Sequence, residues 1–354
     1  MKDFFKNVLA TVLGMFLFSA ICFGFMMMSI IGMIAASDTE TKLKDNSVLT
    51  INLSGVINEK ASTDYLGFLS GDAVENSGLN DILMAIKKAK NNDEIKGIYI
   101  EAGPLGAGFS TLQEIRNALA DFKKSGKWIV AYGDTYSQGS YYVASVANHI
   151  YLNPEGQVDW HGLASQPYYI KDLAAKFGVK YQVAKVGTFK SATETYTETK
   201  MSDANRLQVS LYLNGLWANV CKAVSESRKI SIPTLNTYAD EYQLFATPQS
   251  LIKKRLIDKL LYADQVKGEV KKLLGIDADE SINQVGISAM CNVVEDVNID
   301  DGIIAIYYAE GEIVQMAPGG MLNNSTNIVS KNICRNLEDL KNDDDIKAVV
   351  LRIN

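Results

Sequence analysis

The chain has 354 residues, 47% of them hydrophobic and 21% charged, and a formal net charge of -6. That length can bury a large core and hold more than one domain, and the composition is that of an ordinary globular protein. The mild acidity and the lack of a Lys/Arg-rich stripe exclude nucleic acid as the main partner.

Between Lys6 and Asp38 there is no charged residue. The stretch NVLATVLGMFLFSAICFGFMMMSIIGMIAAS exceeds the roughly 20 residues needed to cross a bilayer. A cleaved signal peptide is the alternative, with Ile34-Ala35-Ala36-Ser37 imitating a cleavage site. Signal h-regions span only about 7–15 residues, so a retained anchor is expected. Lys2 and Lys6 precede the span, and Lys42 and Lys44 follow it, so the positive-inside bias is slight. A short N-terminal tail and a large C-terminal body still favour a body outside the inner membrane, in a bacterial periplasm.

Residues 38–46 read as a polar juxtamembrane linker, and Ser47–Leu53 alternates as a strand. Asn58–Asn76 is a long loop of Ser, Gly and acidic residues. Leu79–Lys90 has helical spacing at Leu79, Ile82, Leu83 and Ile86, and Ile95–Ile100 is a short strand. After the glycine-rich 101–109 stretch, Ser110 is expected to cap the helix TLQEIRNALADFKKSG, which closes at Gly126. A strand at Trp128–Tyr132, a small-residue helix near Ser140–Val146 and a strand at Ile150–Leu152 follow. Alternating strands and helices predict a largely parallel sheet.

A strand is expected over Lys180–Val186. From Met201 to about Ile230 the pattern is one long helix with Leu207, Leu211, Leu213, Trp217 and Val220 near one face. Pro233–Ala263 holds shorter helices and a turn at Thr247-Pro248, and Val266–Leu274 is helical. The acidic stretch 275–300 reads as a linker, and 310–327 is a Gly/Pro/Asn-rich loop before a helix around Ile328–Leu340.

The chain also repeats itself. VLTINLSGVI at 48–57 returns as IIAIYYAEGEI at 303–313, and DEIKGIYIEAG at 93–103 returns as DDIKAVVLRIN at 344–354. Each copy reads as strand, polar loop, amphipathic helix, strand, which suggests two homologous domains. The expected organisation is a tail and anchor at 1–37, a first domain at 38–274, a linker at 275–300 and the start of a second copy at 301–354.

Few residues announce chemistry. The four cysteines, at 22, 221, 291 and 334, show neither a disulfide framework nor zinc-ligand spacing. No metal or other cofactor is expected. His149 and His161, the chain's two histidines, lie near no nucleophile motif such as G-x-S-x-G, and read as structural. GPLGAG at 103–108 lacks the Lys-Ser/Thr of a P-loop and reads as a tight strand-to-helix turn. Its backbone N–H groups are still placed to hold an anion or oxyanion. Ser137 and Ser140 sit in a strand-to-helix corner, where serine commonly bonds locally.

The most informative segment is KVGTFKSATETYTETKMSDANRLQ at 185–208. Gly187 breaks the expected strand, and Lys190 lies just past the turn. A lysine is a general base only when neutral, so its ordinary pKa of about 10.4 must be drawn down by desolvation or a nearby cation. Hydroxyls at Thr188, Ser191 and Thr193 are placed to orient such an amine. The competing reading is a surface lysine paired with Glu194 at i,i+4, which would hold the proton on the amine.

VGTFKSATE followed by MSDANR resembles the VGT-[YF]-KSA-x-E…MS block of the signal peptide peptidase A family (peptidase family S49) in its long, duplicated form. YSQGSYYVASVANHIYLNPEGQVDWHG resembles that family's non-catalytic N-terminal copy, and SLIKKRLIDKL resembles a late helix-turn of it. The resemblance covers almost the whole chain. It implies an α/β fold of the ClpP/crotonase superfamily, with repeated ββα units around a parallel sheet, preceded by one transmembrane helix. It also implies a serine peptidase with a Ser–Lys dyad, with Lys190 as the general base. Gln138 aligns with the nucleophile position of the N-terminal copy and Gly139 with the glycine after it. Neither Ser137 nor Ser140 is carried over, so the nucleophile is expected beyond Asn354 and the chain alone is expected to be inactive. The family further implies signal-peptide remnants as substrates, a homo-oligomer and an inner-membrane location. Two other classes stay open: a non-catalytic membrane-anchored scaffold of the same fold, and a crotonase-like acyl-CoA enzyme.

Overall fold

The structure, a computed structural model, describes residues 2–37, 40–61, 78–294, 302–316 and 327–353. Most of the expected Asn58–Asn76 loop, residues 295–300 of the expected linker and the middle of the 310–327 loop lie outside the described residues. The chain divides into one compact unit at Asp45–Gln284 and a second formed by Met1–Lys44 with Val285–Asn354.

In the first unit, strands β1 (Ser47–Val56), β2 (Ile95–Gly106), β3 (Trp128–Tyr136), β4 (His149–Val158), β5 (Lys259–Leu260) and β6 (Asn283–Val285) form one sheet in the order β5-β4-β3-β2-β1-β6. Every neighbouring pair from β5 to β1 is parallel. The expected α/β class with a parallel sheet is thus observed. Strands of such a sheet are covered on both faces and carry unbroken apolar runs. Ile129, Val130 and Ala131 are accordingly all fully buried.

Helices α2 (Leu79–Asn91), α3 (Phe109–Phe122) and α4 (Gln138–Ala144) form one covering layer. Their inward residues include Leu79, Ile82, Ile86, Leu112, Ile115, Leu119 and Phe122. On the other face Val48, Val130, Tyr132 and Tyr151 pack with Val266 and Val270 of a later helix (α10, below). Successive strand residues point to opposite faces, which is why Val130 belongs to this cluster and Ala131 does not. Gly97 makes room within the sheet: a Cβ there would overlap the Trp128 ring.

The crossover from β4 to β5 occupies residues 159–258. It holds α5 (Lys171–Lys176), α6 (Glu194–Thr197), α7 (Asp203–Arg228), α8 (Ile232–Asp240) and α9 (Pro248–Lys253); α10 (Ala263–Leu274) follows β5. Several expectations change here. Residues 180–186 form no strand and are exposed throughout, since their backbone pairs with no strand among the described residues. Helix α7 exists as expected, and Trp217 and Val220 of its expected face do dock, with Cys221 and Val224 beside them, but Leu207 and Leu211 are 53% and 66% exposed. Thr247-Pro248, expected as a turn, is the start of α9, with Thr247 its N-cap and Pro248 its first residue. Ser110 lies inside the first turn of α3, whose N-cap is Gly108. The GPLGAG run is mostly strand, because β2 continues to Gly106 alongside β1.

The C-terminal half of α7 is tied to the body by polar side chains, of which Arg116 of α3 and Trp160 are buried. Arg116 Nη2 donates to Ala223 O at 2.7 Å and Ser227 Oγ at 2.6 Å, with its guanidinium 5.3 Å above the Tyr142 ring. Arg228 forks onto Asp258 at 2.7 and 3.3 Å, and Asp258 also accepts from Ile150 N of β4 at 2.7 Å. Trp160 donates to Leu235 O at 2.9 Å and packs against Trp217 and Tyr141.

In the second unit, α1 (Lys2–Ser37) is a single helix, long and apolar enough over Asp3–Ser29 to cross a membrane. Its described apolar side chains, among them Phe4, Leu9, Phe16 and Phe25, are exposed. The expected 275–300 linker contains β6 and α11 (Ile287–Cys291). Strands β7 (Ile303–Ala309), β8 (Glu312–Val314), β9 (Asn327–Val329) and β10 (Ile346–Ile353) follow, with α12 (Ser330–Lys341) before β10.

The repeat extends to individual hydrogen bonds. β10 pairs with β7 in parallel, as β2 does with β1. In both pairs the register skips one residue on the later strand, Lys96 between Ile95 and Gly97, and Lys347 between Ile346 and Ala348. Each skipped lysine donates to the carbonyl three residues back, at 2.8 Å to Asp93 and 2.6 Å to Asp344.

At the β5–α10 edge, Lys259 and Lys272 donate to Glu269 at 2.6 and 2.8 Å and hold its carboxyl at about 2. A carboxyl whose folded pKa lies below the ordinary value of 4.5 stabilises the fold fully above pH 4.5. That contribution is lost as the pH falls toward about 2. Thermal unfolding of the purified chain across this range is expected to show an acid-side drop in Tm. Glu269→Gln should flatten it, and an unchanged profile in that variant would assign the drop to other carboxylates.

Candidate active site

Lys190 sits in the β4-to-β5 crossover, directly after a turn made by Gly187, Thr188 and Phe189. Gly187 has φ +100, a left-handed conformation that favours glycine and lets the chain reverse sharply. Lys185, Phe189, Lys190, Ser191, Ala192 and Thr193 line a shallow open cavity of about 240 Å³. The structure thus brings Lys190 together with Ser191 and Thr193; Thr188 is not part of that lining. Thr193 Oγ1 is buried without a hydrogen-bond partner.

The Lys190 side chain is exposed and makes no hydrogen bond or ion pair among the described residues. The i,i+4 pair with Glu194 does not form. Glu194 is only 4% exposed and turns the other way. Its carboxylate accepts from Ser202 Oγ at 2.6 Å, Ser202 N at 3.2 Å and Asn205 Nδ2 at 3.0 Å. Ser202 is the N-cap of α7 and also accepts from Asn205 N. Burial alone would push the Glu194 carboxyl up, but these donors outweigh it and hold the carboxyl below its ordinary range. Sequence reasoning missed this role. An eight-residue reach from Glu194 to Ser202 has no local periodic signature, whereas Lys190–Glu194 spacing does.

The other candidates make local contacts. His149 stacks on Tyr151 with ring centroids 5.9 Å apart, and His161 Nδ1 lies 2.6 Å from Asp159. Ser137 caps α4, accepting from Ser140 N and Leu105 N, each at 3.3 Å, and donating to Ser140 Oγ at 3.1 Å. Ser140 is fully buried and donates to Ser137 O at 3.1 Å. Both hydroxyls are therefore spent within the corner. Leu105 N, one of the backbone donors that GPLGAG offers, is taken up by Ser137. Gln138 occupies the first position of α4 and is 7% exposed. All four cysteines are free, and burial pushes the Cys221 thiol up to about 11. No cluster of His, Cys, Asp and Glu among the described residues is arranged to hold a metal.

Residues 121–277, which run from the end of α3 past the turn of Lys190 to α10, match the profile of peptidase family S49. Protease 4 of Salmonella typhi is 34% identical over 323 residues, covering 86% of this chain and 51% of that protein. The chain belongs to peptidase family S49. Protease 4 of Haemophilus influenzae is 30% identical to this S49 chain over 354 residues, covering 94% of the chain and 56% of the relative. Chloroplastic serine protease SPPA of Arabidopsis thaliana is 25% identical over 320 residues, 88% of the chain and 45% of the relative. The S49 chain spans about half the length of the curated relatives it matches.

Replacing Glu194 with Ala would strand the donors of Ser202 and Asn205, at a local cost of about 1–3 kcal/mol. Hydrogen exchange is expected to accelerate in the first turns of α7, from Asp203 to Leu211, while amides of β3 keep their protection. Unchanged exchange in α7 would mean that Ser202 alone holds the helix start.

Proposed function

We propose that this chain supplies the general base of a membrane-anchored serine endopeptidase with a Ser–Lys dyad that degrades cleaved signal peptides. The observation that carries the reading is the separation of Lys190 from Glu194. The carboxylate that would hold a proton on the amine is committed to the start of α7, and the amine is left uncommitted beside a small cavity. Family membership and relatives named as proteases support the same class.

In the proposed mechanism the neutral Lys190 amine takes the proton of a serine hydroxyl as its oxygen attacks the peptide carbonyl. The resulting ammonium then protonates the departing amine, leaving an acyl-enzyme for water to hydrolyse. Backbone N–H groups stabilise the transient oxyanion. Ser137 and Ser140 are not the nucleophile in this proposal, since both hydroxyls are locally bonded. The serine is assigned to sequence outside these residues, in the same subunit or a neighbour, and the chain by itself is expected to be inactive. Lys190 is exposed here, so the surface that delivers the serine must also strip water from the amine. Helix α1 is read as a single-pass anchor in the bacterial inner membrane, with the body in the periplasm and assembled as a homo-oligomer. Extended apolar peptides bind in a groove with side-chain pockets.

In the full-length enzyme, Lys190→Ala is expected to lower kcat by about 10²–10⁴-fold with a small change in KM. Circular dichroism should be unaltered, because the side chain makes no contact that supports the fold. A variant that keeps near-wild-type kcat would remove Lys190 from the mechanism.

A further inference from the structure

The corner between β3 and α4 holds a side chain whose hydrogen bonds all point away from chemistry. Gln138 is buried, and both ends of its amide engage two consecutive residues of the crossover. Its Nε2 donates to Gly162 O at 3.0 Å, and its Oε1 accepts from Gly162 N at 2.9 Å and His161 N at 3.0 Å. Gly162 has φ +84, so the chain turns sharply at the point that is gripped. The neighbouring residues brace the same spot. Asp159 N donates to Tyr136 O at 2.8 Å, and the His161 ring bonds Asp159 and packs 5.6 Å from the Tyr242 ring.

Beyond this root the crossover opens out. Residues 164–168 and 175–190 are exposed, and α5 buries no residue. The segment closes on itself through Ile170 N to Thr195 O at 2.8 Å and is joined through Glu194 to the head of α7, the helix whose C-terminal part docks on the body. Lys190 therefore rides on an arm with two feet, the Gln138 grip at the outgoing one and Glu194 at the returning one. A small rotation at a foot becomes a larger displacement of the amine. Reacting groups misplaced by about 1 Å lose as much as 10²-fold in rate.

We propose that Gln138 is a positioning residue whose buried amide clamps His161 and Gly162 and so fixes where the arm presents Lys190. This rests on the reading of Lys190 as the general base. A glutamine suits the position because its amide offers both a donor, used by Gly162 O, and a two-fold acceptor, used by His161 N and Gly162 N.

The test uses the full-length enzyme with Gln138→Leu, which keeps bulk and loses every bond, and Gln138→Glu, which keeps the acceptor for two N–H groups and loses the donor to Gly162 O. Val270→Ala in α10 serves as a control of matched Tm loss far from the arm in sequence. Gln138→Leu is expected to speed hydrogen exchange at residues 161–170 and to lower kcat by about 10–100-fold at nearly constant KM. Gln138→Glu should recover part of both effects, and the control neither. Three results overturn the proposal: unchanged exchange at 161–170 in Gln138→Leu, faster exchange with unaltered kcat, or an equal kcat loss in the control. Failure of the base assignment is separable, because it shows as activity retained in Lys190→Ala, whereas the exchange readout needs no activity.

Discussion

A parallel strand cannot be joined to its neighbour by a hairpin; the chain must cross over and come back. β4 and β5 are parallel neighbours, and their connection is the longest excursion in the first unit. That constraint shapes the region around Lys190. The crossover leaves the sheet at Asp159 and returns at Asp258, and both ends are fastened there. Tyr141 OH donates to Leu256 O at 2.8 Å close to the return, and Arg228 clamps Asp258 onto β4. Between these fixed ends the chain is free to project, and the exposed arm of Lys190 is the part that does.

Magnitudes explain why the arm takes this form. An exposed Lys190–Glu194 pair would contribute about 0.2–0.5 kcal/mol. A carboxylate receiving charge-assisted hydrogen bonds gains about 1.5–3 kcal/mol for each, and the same carboxylate, once buried, must receive them. Glu194 therefore turns to Ser202 and Asn205, and the lysine is left over. The freedom of the amine is a consequence of a better partner for its neighbour.

How much of this was legible in the sequence follows from the range of each interaction. Helix α2, the strands β1 to β4 and the duplicated strand-helix-strand unit were readable because their apolar periodicity is local. The repeat even preserves the skipped residues Lys96 and Lys347, since DEIKG and DDIKA carry the same turn and the same lysine. The expected strand at 180–186 failed because alternation alone does not supply a partner: Tyr181, Val183 and Val186 are all exposed. The docked face of α7 was misplaced for a similar reason. Its N-terminal Leu207 and Leu211 have helical spacing, but only the part from about Trp217 onward meets the body. Ser110 looked like a cap, yet β2 runs on to Gly106 and leaves Gly108 in that place.

The β3–α4 corner shows how one backbone shape can be turned from chemistry to support. A strand-to-helix corner ordinarily exposes a side chain and backbone donors together. Here Ser137 spends its hydroxyl on the helix start and on Leu105 N, Ser140 is sealed beneath it, and Gln138 reads the peptide groups of His161 and Gly162. These three side chains face the protein instead of a substrate. The same inward commitment occurs at Glu194. Both feet of the arm are thus held by hydrogen-bonded, buried side chains, while the amine between them makes no bond among the described residues. That contrast is why the proposed base is sought on the arm and not in the corner.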